Sequence, residues 1–170
     1  AGEHELRLDA LHFEGAGTDL TVGLFPTSLW QNATETTVNG LEFVANLPSE
    51  ELTSTPDPAR TEGVVRSTRP LVLSDGTLIE GITVRFEGGR AVEVDADVGG
   101  EALRGRTSVD EGARRLGEVA LVDREGRIGP LGTVFYNTLL DENAASHLAF
   151  GGEYETLVGQ EDVERINRSE

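Results

Sequence analysis

A chain of 170 residues is long enough for one domain with a real core, and its formal net charge of -17 leaves no basic face for phosphates. All 14 basic residues are arginine, so nucleic acid and anionic membranes are poor partners, whereas the acid excess raises the local concentration of cations. The absence of cysteine excludes disulfides, thiolate metal ligation and a cysteine nucleophile, and no apolar run approaches the roughly 20 residues that span a bilayer, so a cytoplasmic protein is expected.

Residues 6–13 (LRLDALHF) and 19–25 (DLTVGLF) alternate apolar and polar side chains and are split by Glu14-Gly15-Ala16-Gly17, a pattern that predicts a β-hairpin. A loop carrying Pro26, Asn32 and Gly40 leads to residues 41–48 (LEFVANLP). The Pro- and Thr-rich stretch that follows, through Pro58, reads as irregular surface backbone. A β-meander is predicted from VVRST (64–68), LVL (71–73) closed by Asp75-Gly76, ITVRF (82–86), and AVEVDA (91–96) joined at Gly88-Gly89. A helical patch is expected over 101–116, with Ser108 or Asp110 as N-cap candidates and Gly117 at the C′ position, after which Glu118 opens the strand EVALV. The last element reads as a helix begun by Asp141 and stopped at Gly151-Gly152, packing through Ala144, Ala145, Leu148 and Ala149. No internal repeat or break appears. The predicted class is α+β, mainly antiparallel β-meander with two or three short helices, as a single domain over 1–170.

Chemistry concentrates near the end, at Glu118, Glu142, His147 and Tyr154. Oxygen donors with one imidazole are the mixed ligand set of a hydrolytic metal site, and the glycine-rich turns between them let each point inward from a different element. Each also has a plain reading: Glu142 at a helix N-terminus, His147 as a satisfied core histidine, Tyr154 as a rim aromatic, Glu50 and Glu51 as solvated acids. The residues alone leave both open. Asp95 and Asp97 imitate a calcium-loop fragment without the remaining spacing, and Ser146-His147 with Asp141 makes no credible triad. Asn32 and Asn167 match glycosylation sequons and read as chance.

Taken in order, NLPSEELTSTP (46–56), GEVALV (117–122), FYNTLLDENAASHLAFG (135–151) and Tyr154, with TDLTVGL (18–24) upstream, resemble the motif series of the aminopeptidase T and aminopeptidase S metallopeptidase family. That resemblance implies release of N-terminal residues from peptide substrates by two divalent metal ions (Zn, Co, Mn or Mg) and a bridging water, in a protein that forms a homodimer. It implies that Glu51, which directly precedes Leu52, is a metal ligand rather than Glu50. Glu118 would bridge both ions, His147 would supply the imidazole, Tyr154 would lie on or beside a metal, and Glu142 would be a further ligand or the proton shuttle. On a regular helix a five-residue step turns about 500°, so Glu142 is expected in the first turn, where it need not share a face with His147. Glu50 or Glu155 is a candidate for assisting capture of the substrate amine. The family pattern continues after a segment like INRSE (166–170) with a His-x-Asp pair, and members carry a large α/β part ahead of this region. The chain is thus expected to be a fragment of the catalytic domain, weakly active or inactive alone. The alternative is a non-catalytic, β-rich acidic interaction module, which would have no reason to retain a cation.

Overall fold

The structure, a computed structural model, describes residues 7–44 and 49–169. The expected hairpin forms from β1 (Ala10–Gly15) and β2 (Thr18–Leu24), with Gly15 facing Thr18 across a tight turn. Next, β3 (Thr34–Thr36) and β4 (Glu42–Val44) pair as a ribbon across the expected loop and the start of the segment 41–48; residues 45–48 lie outside the described ones. The stretch read as irregular surface is instead β5 (Glu51–Ser54) and β6 (Pro56–Arg66), with Thr55 and Asp57 buried. Its prolines are tolerated because the strand that flanks β6 on its far side covers only Gly63 to Arg66, so Pro56 and Pro58 sit where that side has no ladder.

The predicted meander forms in part: among the described residues, β7 (Leu71–Val72) and β8 (Leu78–Ile79) pair only with each other as a separate two-stranded ribbon, whereas β9 (Thr83–Glu87) and β10 (Arg90–Asp95) continue from β6. Helix α1 (Gly100–Arg106) is shorter than predicted. The Thr107 hydroxyl donates to the Leu103 carbonyl and the Ser108 hydroxyl to that of Arg104, satisfying the last turn from side chains and ending it. Asp110 accepts from the Ala113 N–H and caps a single 3-10 turn, Gly112–Arg114, before β11 (Leu116–Val122).

The predicted final helix does not form. Only α2 (Thr138–Asp141) is helical, capped by Asn137, and one 3-10 turn, Glu142–Ala144, follows it. Asp141 is no N-cap; its carboxylate accepts from the backbone N–H groups of Phe135 and Asn137. The chain is extended at Ala145 and becomes β12 (His147–Phe150), so Ala144, Ala145, Leu148 and Ala149 share no helical face. A strand ladder on β11, with Leu148 and Phe150 packed into the core, outweighs the helix propensity of the alanines.

Among the described residues, a five-stranded sheet runs β1-β2-β6-β9-β10 and a three-stranded one β12-β11-β5, all pairs antiparallel, which is the expected β-rich α+β class. Leu20, Val22, Leu24, Val84, Phe86 and Ala91 of the larger sheet pack against Leu116 and Val119 of β11, and Phe86 stacks on Phe150 with centroids 5.9 Å apart. Thr55 alone separates β5 from β6, so the chain passes straight from one sheet to the other.

A bulge at Gly117 sets the faces of β11. The register jumps from Leu116 opposite Phe150 to Glu118 opposite Ala149, so Leu116 and Val119 both reach the core while Glu118 turns to the other side. Only glycine fits, since a Cβ there would lie 2.4 Å from the Gly151 carbonyl oxygen and 2.5 Å from that of Gly152. Gly117 is thus a close backbone approach within a strand, not a helix C′ residue.

Beyond β12 the chain is pinned by Arg165, which pairs with Asp57 at 2.8 Å and Asp162 at 2.7 Å and lies over the Phe25 ring. Asn167 and Glu153 exchange backbone and side-chain hydrogen bonds, and the buried Asn167 amide also donates to the Gly112 and Gly151 carbonyls, so that sequon is structural. Burial, with the charge of Asp57, pushes the Glu153 carboxyl up to about 8.

Two outcomes follow from this packing. Gly117→Ala should cost roughly 1–3 kcal/mol in a denaturant titration, because the carbonyls it meets belong to backbone that cannot step aside. The folded chain holds the Glu153 proton above the ordinary carboxyl value of 4.5. The stabilisation is complete below that value and is lost as pH rises through about 8. Urea midpoints measured at about pH 5 and pH 9 should therefore fall for the parent, and fall by less for Glu153→Gln.

Candidate metal centre

The face of the three-stranded sheet opposite the core carries the predicted donors. Cross-strand register sets Ala120 between Thr53 on β5 and His147 on β12, with Glu51 opposite Val122 and Glu118 opposite Ala149. Because strands alternate with period two, Glu51, Thr53, Glu118 and His147 all project from this one face. Ala120 lies buried at its centre, and its lone methyl leaves the side chains around it room to meet.

Glu51 Oε2 and His147 Nε2 are 3.2 Å apart and both side chains are mostly buried, at 16% and 19% exposure. The pair does not meet hydrogen-bond geometry, and Glu51 Oε2 is a buried oxygen without a hydrogen-bond partner among the described residues. Two donors each about 2.0–2.2 Å from one cation in tetrahedral geometry stand a little over 3 Å apart, so the spacing suits shared ligation. The other ring nitrogen, Nδ1, lies 3.2 Å from the Ala145 carbonyl, the kind of outer contact that fixes a ligating imidazole. Glu118 accepts a short hydrogen bond from the Thr53 hydroxyl.

Glu142 and Tyr154 approach from outside the sheet. Glu142 opens the 3-10 turn after α2, half-buried, and its neighbour Asn143 ties that turn down: the Asn143 side chain accepts the Glu50 N–H at 2.6 Å and donates to the Leu139 carbonyl. Tyr154 is 57% exposed, and its carbonyl accepts from Thr55. Glu142, His147 and Tyr154 feel the charge of Glu51 and Glu118. Burial raises the Glu142 carboxyl, Glu51 and Glu118 add to this, and His147 opposes it. Burial alone would lower His147, but the Glu51 carboxylate, the Ala145 carbonyl and Glu118 outweigh it and the imidazole is raised. Tyr154 is raised by the charge of Glu118 first, then by burial, Glu142 and Glu51. No arginine is among the charges acting on these three groups.

All five predicted residues therefore share one neighbourhood, although among the described residues no three His, Asp or Glu side chains already close on one point as a metal-holding group. The donors still fit a divalent cation. They supply carboxylates, one imidazole and one phenol, with an orphaned buried carboxylate oxygen facing the imidazole and no resident positive side chain. The two acids considered for amine capture are otherwise engaged. Glu50 turns away from this face to accept from Arg127 Nε and from the backbone N–H groups of Arg127 and Ile128, and Glu155 pairs with Arg168 at 2.7 Å. Asp95 and Asp97 pair with Arg104 and Arg66. Thr53 and Asn143 were not foreseen; Thr53 becomes legible once residues 51–54 are read as a strand, two positions from Glu51, whereas no local signal marks Asn143.

Comparisons with known proteins give the chain a family. A family model described as "Thermophilic metalloprotease (M29)" matches residues 4–169. Aminopeptidase T of Thermus aquaticus is 54% identical over 166 residues, which cover 97% of this chain and 40% of that protein. The structure of wild-type AmpT from Thermus thermophilus superposes with a TM-score of 0.89 at 50% identity, covering 96% of this chain and 42% of that one. A 2,5-dihydroxypyridine dioxygenase of Pseudomonas putida KT2440 shares the fold alone, at a TM-score of 0.61 and 17% identity over 89% of this chain and 46% of that one. The chain thus spans about two-fifths of the length of the relatives it matches.

Calorimetric titration with Co or Zn should show saturable binding to this chain that falls at least tenfold in affinity in His147→Ala. Equal affinity in both would remove His147 from the ligand set.

Proposed function

The chain belongs to the thermophilic metalloprotease (M29) family, and on that premise we propose that it is part of the catalytic domain of a metal-dependent aminopeptidase that removes N-terminal residues from peptides. One observation carries the reading: Glu51, Glu118 and His147 meet on one face of a three-stranded sheet, charge-coupled to Glu142 and Tyr154 with no arginine among them.

Glu51, Glu118, His147 and Tyr154 would hold two divalent cations drawn from Zn, Co, Mn and Mg, with Glu118 shared and Glu142 either joining them or acting as base. Such cations, when bound, lower the pKa of water and polarise a peptide carbonyl. Glu142 suits proton transfer, because burial and its acidic neighbours make its carboxylate a better base than an exposed one. It would take a proton at a carboxylate oxygen as water attacks and return it to the departing amine. His147, steadied at Nδ1 by the Ala145 carbonyl, presents Nε2 to the face. Tyr154 stands at the rim, within reach of the acids' charge, and the acids together would attract the substrate's protonated amine. Residues 1–170 would form one folded unit of a longer, homodimeric protein, and this unit alone would hydrolyse little, because a site short of ligands loses affinity and orientation.

In the intact, metal-loaded enzyme, Glu118→Gln should lower kcat/KM by roughly a thousandfold or more, with circular dichroism and thermal midpoint little changed. Full activity in that variant would remove Glu118 from the centre.

A further inference from the structure

We propose that a cleft at the C-terminal end of β11 is a substrate subsite for a peptide carboxylate, with Arg69 and Arg124 as its cations. This rests on the aminopeptidase reading. The cleft, of about 430 Å³, is lined by Arg69, Val122, Asp123, Arg124 and Ser146. It borders the metal-binding face directly, since Val122 stands opposite Glu51 and Ser146 immediately precedes His147. A strand rises about 3.3 Å per residue, so Val122 lies roughly 7 Å along β11 from Ala120 at the centre of that face. An extended peptide covers at most about 3.5 Å per residue. With its amine at the acids, a peptide of two to four residues would reach the cleft with its far end.

Charge separates the two regions. Eight arginines are in ion pairs with carboxylates among the described residues, as expected of a chain at -17. The two in this cleft are not, a state they share with Arg106, Arg114 and Arg115, but they alone line a cleft beside the acidic face. Arg69 donates Nη2 to the Gly129 carbonyl at 3.0 Å, which fixes the side chain and leaves its remaining N–H groups for another acceptor. Arg124 has no ion pair or hydrogen bond among the described residues. Asp123, the acid in the same cleft, accepts the Glu125 N–H rather than pairing with either arginine. An acidic face followed within one short peptide's length by two guanidinium groups that have no carboxylate partner matches the polarity of a peptide read from amine to carboxylate.

The test uses the intact, metal-loaded enzyme and one tripeptide in three forms: the free acid, the C-terminal amide, and an amide with Asp at its second position. Turnover is read as kcat/KM, and binding separately by calorimetry on the same three forms with a reduced, uncleavable first peptide bond. The free acid, or the Asp-bearing amide if the carboxylate comes from a side chain, should be favoured over the plain amide roughly ten- to a hundredfold. That ratio should collapse toward one in R69Q/R124Q, and partly in R124Q alone, whose exposed side chain poses no threat to folding. A ratio near one in the parent, or a ratio the variants leave unchanged, overturns the subsite. If no form is cleaved, the aminopeptidase reading fails, and the calorimetric ratio still decides whether the cleft holds a carboxylate.

Discussion

Strand β11 must face two ways, and the rest of the molecule depends on how it does so. Strict alternation would put Leu116 and Glu118 on one side, burying a carboxylate beside Val84 and Phe86 or stranding a leucine among the acids. The extra residue at Gly117 removes that conflict by resetting the alternation once. The approach of the Gly151 and Gly152 carbonyls then makes glycine obligatory at the same point. Core and site are therefore two faces of one device. Val119, Leu148 and Phe150 bury apolar area on one side, and that rigid backing holds Glu51, Glu118 and His147 in register on the other.

Electrostatics explain why such a face exists in a stable fold. Elsewhere several acids are matched: Arg165 bridges Asp57 and Asp162, Arg85 serves Glu87 and Glu93, and Arg127 occupies Glu50. Around Ala120 they are not matched. Burial first and then the acids beside it make Glu142 hold its proton more tightly, the acids do the same for Tyr154, and only the His147 imidazole answers the charge. A cluster of this kind is costly without a counterion, and a bound cation is the counterion its donor types suit best.

How much was legible in the sequence depended on whether the deciding contact was local. The hairpin at Gly15 and the meander turns at Asp75-Gly76 and Gly88-Gly89 were plain, because period-two alternation and turn residues act within a few positions. The segment at 141–150 was misread because its alanines favour a helix, and nothing nearby tells the chain that β11 offers an open edge. Residues 51–58 were misread because two prolines look like punctuation, although they fall where β6 lacks a ladder on one side. The site residues were singled out through family resemblance, and the fold sets Glu51, Glu118 and His147 on one sheet face; their spacing alone left a packed histidine and solvated acids just as open.

The site is also wholly non-local. Glu118 takes its hydrogen bond from Thr53, 65 positions earlier, and His147 reaches Glu51 only across both ladders of the three-stranded sheet. Loop closure must precede every one of these contacts, which places the donor face among the slow, late events on the folding route. No short peptide cut from this chain contains it. A cation in solution therefore cannot template the fold from a local loop, and acts instead as a lock on a scaffold that hydrophobic burial has already assembled.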